Sequence, residues 1–203
     1  MKRKFAAMLA AALGLTLLLS ACAQPDSAPS LTPSPSADAA QPSASAGAQS
    51  SGGILSSFSA QDLDGNAVDQ SILEGHTLTM VNVWATFCTP CINEMPELGE
   101  LAAEYADKGV QIVGLISDVL DSDGSVSETQ LETAKEIVSS TGADYTHIVP
   151  SSDLYGLLYQ ISSVPTTFFV DETGAQVGTA YLGARDKDSW AAILDEMLAE
   201  VGA

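Results

Sequence analysis

The sequence predicts an α/β domain built on a central mixed sheet flanked by helices, and three observations carry that prediction. First, Leu78 to Ala85 is an apolar run of strand length, an amphipathic helical pattern follows from Pro90, and Val110 to Ile116 is a second apolar run. Strand, helix and strand in that order make a βαβ unit, whose two strands run parallel. Second, Asp64-Gly65 and Asp171-Glu172-Thr173-Gly174 are hairpin signals, each joining antiparallel strands. Third, a final amphipathic pattern from about Asp186 to Val201 supplies a helix with one apolar face.

The chain opens with an address. Lys2-Arg3-Lys4 is a charged start, and Phe5 to Leu19 is apolar; the run to Ala21 has 17 residues, marginal against the roughly 20 a spanning helix needs. Leu19-Ser20-Ala21-Cys22 resembles the lipobox of bacterial lipoproteins. The resemblance implies that residues 1–21 are a signal peptide cleaved before Cys22, whose thiol carries a diacylglycerol. Acylation of its amine would make the anchor stable, since one chain holds only marginally. The expected location is extracytoplasmic, on the outer face of the cell membrane. Residues 22–53 form the lipidated Cys and a Ser/Ala/Pro-rich tether, with Pro25, Pro29, Pro33, Pro35 and Pro42 spread through it and almost nothing to bury. The folded domain is expected over 54–203.

Within that domain, Phe58 to Val68 reads as a short hairpin. Cys91, Met95, Leu98, Ala102 and Tyr105 fall on one face of the helix after Pro90, which Gly109 closes. Pro96 has no N–H to offer the Ile92 carbonyl, so a kink is expected there. Asp118 to Ser127 is a polar loop, and Ser127-Glu128-Thr129-Gln130 has capping-box form. The helix it opens carries Leu131, Ala134 and Val138 inward and ends near Gly142. Tyr145 to Val149 reads as a short strand, and Asp153 as the cap of a helix burying Leu154, Leu157, Leu158 and Ile161. Thr166–Val170 and Gln176–Tyr181 form the second hairpin. The last helix buries Trp190, Ile193, Leu194, Met197 and Val201. Trp84 reads as core, and His76 and His147 as surface or strand-end residues.

Charge narrows the function classes. Of 203 residues, 26 are acidic and 7 basic, a net of −19. Three of the bases are Lys2, Arg3 and Lys4, so the domain itself has 4 bases against 24 acids, a net of −20. Such a surface repels nucleic-acid phosphates and anionic lipid, which excludes nucleic acid as a partner and a polybasic membrane patch. Three cysteines are too few for a disulfide scaffold.

The chemistry concentrates at Cys88-Thr89-Pro90-Cys91, where strand meets helix. A sulfur at a helix N-terminus faces free backbone N–H groups and the positive end of the dipole, both favouring thiolate. The thiolate attacks disulfides. A second Cys three residues on lies one helical turn away, close enough to close an intramolecular disulfide. Cys88 is therefore expected to be the exposed nucleophile and Cys91 the resolving thiol, with Pro90 harmless in the first turn. A zinc site would need about four ligands, and no second Cys pair exists; an inert buried pair or a short structural disulfide are the remaining readings. No metal and no cofactor beyond the Cys88–Cys91 disulfide is expected. Asp121-Ser122-Asp123-Gly124 shares part of a calcium-loop pattern, but the downstream Glu is misplaced.

Trp84-Ala85-Thr86-Phe87-Cys88-Thr89-Pro90-Cys91 resembles the active-site segment of thioredoxin-like proteins, and Ile92-Asn93-Glu94-Met95-Pro96-Glu97-Leu98 is similar to the TlpA/ResA branch of membrane-tethered thiol–disulfide oxidoreductases. Val164-Pro165-Thr166-Thr167-Phe168 resembles the family's cis-proline loop. The resemblance covers about 58–201. It implies a thioredoxin-like fold with an N-terminal hairpin extension. It implies a cis Pro165 beside the cysteines, with the Val164 backbone, Thr89 and Pro90 meeting substrate. It also implies an acidic Glu94 handling the proton of the resolving thiol. Where thioredoxin has a buried Asp, this chain has Asn82, which cannot shuttle a proton. The implied partners are client proteins with disulfides or thiols and a membrane electron donor of the CcdA/DsbD type. The implied role is reduction of secreted or membrane-attached clients, as in cytochrome c maturation or repair.

Two other function classes compete. A thiol peroxidase of peroxiredoxin type would usually have Thr three residues before the reactive Cys, where this chain has Ala85. A non-catalytic Cu(I) carrier or redox adaptor would use both thiolates as soft ligands.

Overall fold

The structure is a computed structural model and describes residues 52–202. The expectations for residues 1–21, for Cys22 and for most of the tether lie outside the described residues. The chain enters the domain through Gly53 and Leu55. The Leu55 N–H donates to the Gly174 carbonyl at 3.1 Å, and its side chain is buried.

Seven strands form one sheet in the order β2-β1-β5-β4-β3-β6-β7. β3 (Leu78–Trp84) is buried at all seven positions, as its continuous apolar run requires, and lies in the interior of the sheet beside the middle strand. It pairs in parallel with β4 (Val110–Ile116), from Leu78 opposite Val110 to Trp84 opposite Ile116. β5 (His147–Val149) extends that parallel set. β1 (Ser59–Asp62) runs antiparallel to β5 and to β2 (Ala67–Asp69). On the other side, β6 (Thr166–Val170) and β7 (Gln176–Leu182) form the second hairpin, with β6 antiparallel to β3. The sheet is mixed, as the βαβ pattern and the two hairpin signals predict.

The alternation of side chains along β3 divides the core. Leu78 and Met80 pack with Leu98, Leu101 and Tyr105 of α1 (Thr89–Tyr105) and with Trp190, Leu194 and Met197 of α4 (Lys187–Val201). Val81 and Val83 face the other way, against Phe58, Leu73, Leu154 and Phe168. Trp84 belongs to a third cluster with Cys88, Cys91, Met95 and Ala134, the last from α2 (Glu128–Thr141). Gly99 lets α1 and α2 approach closely, since a Cβ there would lie 2.7 Å from the Gly142 carbonyl oxygen.

α1 continues through Pro96, from Thr89 to Tyr105, and Pro96 is exposed. Three local expectations give way. Ser127 is the N-cap of α2, but its side chain makes no cap bond, and its N–H, which a capping box would offer to Gln130, donates to the Val119 carbonyl at 2.9 Å. Ser151, not Asp153, caps the turn of 3-10 helix before α3 (Tyr155–Leu158), and the Asp153 carboxylate instead accepts the Ser59 N–H at 3.1 Å. His147 is not a surface residue. It is buried at the start of β5, its Nδ1 accepts Trp84 Nε1–H at 3.2 Å, and its Nε2 lies 3.1 Å from the Ala143 carbonyl. Burial lowers its pKa to about 4, so the ring stays neutral and serves as a core hydrogen-bond bridge.

Candidate active site

The site is built where β3 ends. Ala85 follows the strand, its carbonyl accepts the Cys88 N–H at 3.0 Å, and the chain turns into α1. Cys88 is the N-cap of α1, with extended φ and ψ of −86° and 92°, and its Sγ accepts the Cys91 N–H at 3.3 Å. Thr89 and Pro90 occupy the first helical positions and are exposed. Cys88 and Cys91 are joined in a disulfide, with their Cα atoms 5.3 Å apart. In this oxidised state Cys88 is less open than expected: it is 5% exposed and Cys91 0%. The pair sits in the cluster of Trp84, Met95, Ile116 and Val149, so Cys88 alone keeps a window to solvent.

A side-chain lock holds the turn before Cys88. Both Asp118 carboxylate oxygens accept the Thr86 N–H at 3.0 Å, and Thr86 Oγ1 donates to Asp118 Oδ2 at 2.6 Å. Gln130 Nε2 donates to Thr86 Oγ1 at 3.1 Å, which draws it away from the capping role. From the sequence, Asp118 reads only as the start of a polar loop. The available signal was its place directly after an apolar strand, at the sheet end where the cysteines sit.

The Val164–Pro165 peptide bond is cis. Pro165 is buried, and Val164 packs against the cluster that holds both cysteines. The Pro165 carbonyl accepts the Gly183 N–H at 2.9 Å.

Behind the disulfide, one turn along α1, Glu94 is only 3% exposed. Its Oε1 accepts Asn82 Nδ2–H at 2.9 Å; its Oε2 accepts the Arg185 backbone N–H at 3.2 Å and Trp190 Nε1–H at 3.3 Å. Burial raises its pKa above the ordinary carboxylate value, opposed by these donors and by the Arg185 charge. Asn82 Nδ2 also donates to Thr167 Oγ1 at 3.0 Å, whereas Asn82 Oδ1 and the Tyr145 hydroxyl are buried without a hydrogen-bond partner. Burial, together with the Glu94 charge, raises the Tyr145 pKa and keeps that hydroxyl protonated. Arg185 clasps the edge of this nest. Its guanidinium donates to the Leu182 and Gly183 carbonyls at 3.3 and 2.9 Å and lies 5.0 Å from the Tyr181 and Trp190 ring centroids. Arg185, Trp190 and Thr167 are not legible as site residues, although the rarity of cations in the domain, 4 against 24 acids, is a signal that could have drawn attention to Arg185.

The structure thus brings Cys88, Cys91, Glu94, Val164 and Pro165 into one region, with Thr89 and Pro90 on its outer surface. Cys22 lies outside the described residues. Among the described residues no three His, Cys, Asp or Glu side chains converge as a metal site, and no helix is long and apolar enough to cross a membrane.

Comparison with known proteins gives a consistent set of likenesses. The model of the Redoxin family matches residues 26–194. The thiol-disulfide oxidoreductase ResA of Bacillus thuringiensis (strain Al Hakam) is 30% identical over 120 residues, 59% of this chain and 63% of that protein. ResA of Oceanobacillus iheyensis is 36% identical over 116 residues, 56% of this chain and 54% of that protein. The matches therefore span less than two thirds of these relatives' length. Among solved structures, a thiol:disulfide interchange protein of the thioredoxin family from Chlorobium tepidum TLS superposes with a TM-score of 0.57 at 25% identity, covering 72% of this chain and 97% of that one. The structure of MTB dsbF gives 0.56 at 23% identity, covering 71% and 96%, a likeness of fold alone. The fold is thioredoxin-like.

Proposed function

Because the chain belongs to the Redoxin family, we propose that it is a thiol–disulfide oxidoreductase that reduces disulfides of client proteins. The observation that carries this reading is Cys88 Sγ at the N-cap of α1, bonded to the Cys91 N–H and within disulfide reach of Cys91. Reduced, Cys88 would be a thiolate held by the helix N-terminus. It attacks one sulfur of a client disulfide, forming a mixed disulfide and releasing the first client thiolate, which takes up a proton. Cys91 then loses its proton and attacks Cys88 Sγ, releasing the second client thiol and closing Cys88–Cys91. Two electrons pass to the client, and a membrane dithiol donor of the CcdA/DsbD type would restore the pair. Glu94, one turn from Cys91 on α1, would accept that proton. The Val164 backbone beside Pro165, with Thr89 and Pro90, would meet the client chain.

The extracytoplasmic, lipid-anchored location rests on the lipobox resemblance at Cys22, and a role in cytochrome c maturation or repair rests on the likeness to ResA. In a dithiothreitol-driven insulin assay the full chain should reduce insulin rapidly and Cys88→Ser should not. Wild-type turnover by that variant overturns the assignment. Cys91→Ser should hold its client as a mixed disulfide, identifiable by mass spectrometry.

A further inference from the structure

The domain sets 4 cations against 24 acids, and three of those cations lie on surface carboxylates. Lys108 pairs with Asp195, Lys135 with Glu132, and Lys187 with Glu100 and Glu104. Among the described residues Arg185 alone makes no such pair. Its guanidinium lies instead over the rings of Tyr181 and Trp190, 5.0 Å from each centroid.

That placement closes the short turn between β7 and α4. Arg185 Nη1 donates to the Leu182 and Gly183 carbonyls at 3.3 and 2.9 Å, so one side chain staples the turn from within. The stapled segment touches both halves of the site. The Gly183 N–H donates to the Pro165 carbonyl at 2.9 Å, and the Arg185 N–H donates to Glu94 Oε2 at 3.2 Å. The turn ends at Asp186, the N-cap of α4, whose carboxylate accepts the Ser189 N–H at 2.9 Å. That helix brings Trp190 Nε1–H to the same Glu94 oxygen at 3.3 Å.

The other groups around Glu94 are neutral. Asn82 from β3 and Trp190 from α4 reach it as uncharged donors. Tyr145, ahead of β5, keeps its hydroxyl protonated, and Cys91 on α1 is tied in the disulfide. His147, stacked on Tyr145 with centroids 4.4 Å apart, is neutral as well. Arg185 is therefore the cation that acts on Glu94, and its charge opposes the effect of burial.

We infer that Arg185 is the positioning residue for Glu94: it staples the turn before α4 so that its own N–H and its charge stay fixed against that carboxylate. The consequence for catalysis rests on the proposed role of Glu94 as proton acceptor. In that step the proton passes from Cys91 Sγ to a Glu94 oxygen, and the Cys91 sulfur bonds Cys88 Sγ. The bond from Cys88 to the client then breaks, with its electron pair on the client sulfur. Only an ionised Glu94 takes the proton, so Arg185 sets the pH above which resolution proceeds.

The Glu94 midpoint is read on the oxidised full chain, where neither cysteine titrates, by carbon NMR of isotope-labelled glutamate. Glu94→Gln assigns the signal. Arg185→Met and Arg185→Gln should each raise the midpoint by about one pH unit. Arg185→Lys, which keeps a cation near the rings, should recover at least about half of that shift. Lys187→Met removes a cation held by Glu100 and Glu104 and should leave the midpoint in place. The inference is overturned if a folded neutral variant keeps the wild-type midpoint, or if Lys187→Met moves it equally. It is also overturned if Arg185→Lys recovers nothing, which assigns the shift to packing of the turn. The acid limb of insulin reduction should move up with the midpoint. A midpoint that moves while the acid limb stays fixed keeps the Arg185 assignment and loses Glu94 as proton acceptor. A wild-type chain that reduces no insulin at any pH loses the oxidoreductase reading alone.

Discussion

Glu94 and His147 are both buried ionisable groups, and their environments work in opposite directions. The pKa of Glu94 is raised in the fold from 4.5, so its neutral form is the one the fold favours. Its contribution to stability is full below pH 4.5 and is lost as pH rises through the raised value. Glu94→Gln should remove that fall, seen as a flatter urea midpoint between about pH 4 and 8, and should slow reduction by about 10²-fold if Glu94 accepts the Cys91 proton. His147, lowered from 6.5 to about 4, contributes stability that is full above pH 6.5 and is lost as pH falls toward 4. A shift of that size corresponds to about 3 kcal/mol. An NMR titration of its ring should give a midpoint near 4; a midpoint near 6.5 would contradict its burial. Glu94 could be singled out in the sequence through the resemblance of Ile92 to Leu98 to the TlpA/ResA segment. The depth of His147 could not, because it depends on Gly114 and Trp84 from two other strands.

At the scale of elements, the βαβ unit, both hairpins and the last helix follow from periodicity, since apolar runs and turn residues act over a few positions. Periodicity is silent where a distant group competes for a cap: Val119 takes the Ser127 N–H that a capping box would offer to Gln130, and the Asp153 carboxylate accepts the Ser59 N–H. The same non-local fit makes β4 sensitive at Gly114, where a Cβ would lie 2.2 Å from His147 Nδ1 and 3.0 Å from Trp84 Nε1. Gly114→Ala should push these rings apart and destabilise the domain by about 1–3 kcal/mol, measurable as a lower urea midpoint. An unchanged midpoint would mean that β4 and β5 separate freely.

For the domain as a whole, 4 bases face 24 acids. Lys108 pairs with Asp195, Lys135 with Glu132, and Lys187 with Glu100 and Glu104, which leaves most carboxylates uncompensated. Self-repulsion of this kind opposes compaction and is screened by salt. Raising salt from about 0.02 to 0.5 M should therefore raise Tm by a few degrees; a falling Tm would show that local ion pairs outweigh the net field.

The contact of Leu55 with Gly174 fixes where the chain joins the domain. Gly174 lies in the turn after β6, and Val170 pairs with Thr79 at the start of β3, whereas Cys88 follows the end of β3. Entry point and redox centre are thus at opposite poles, separated by a seven-residue strand, about 20 Å at 3.3 Å per residue. If the segment before residue 52 tethers the domain, as the lipobox resemblance implies, a pull along it would turn the domain as a lamp hangs from its cord, with Cys88 at the far end.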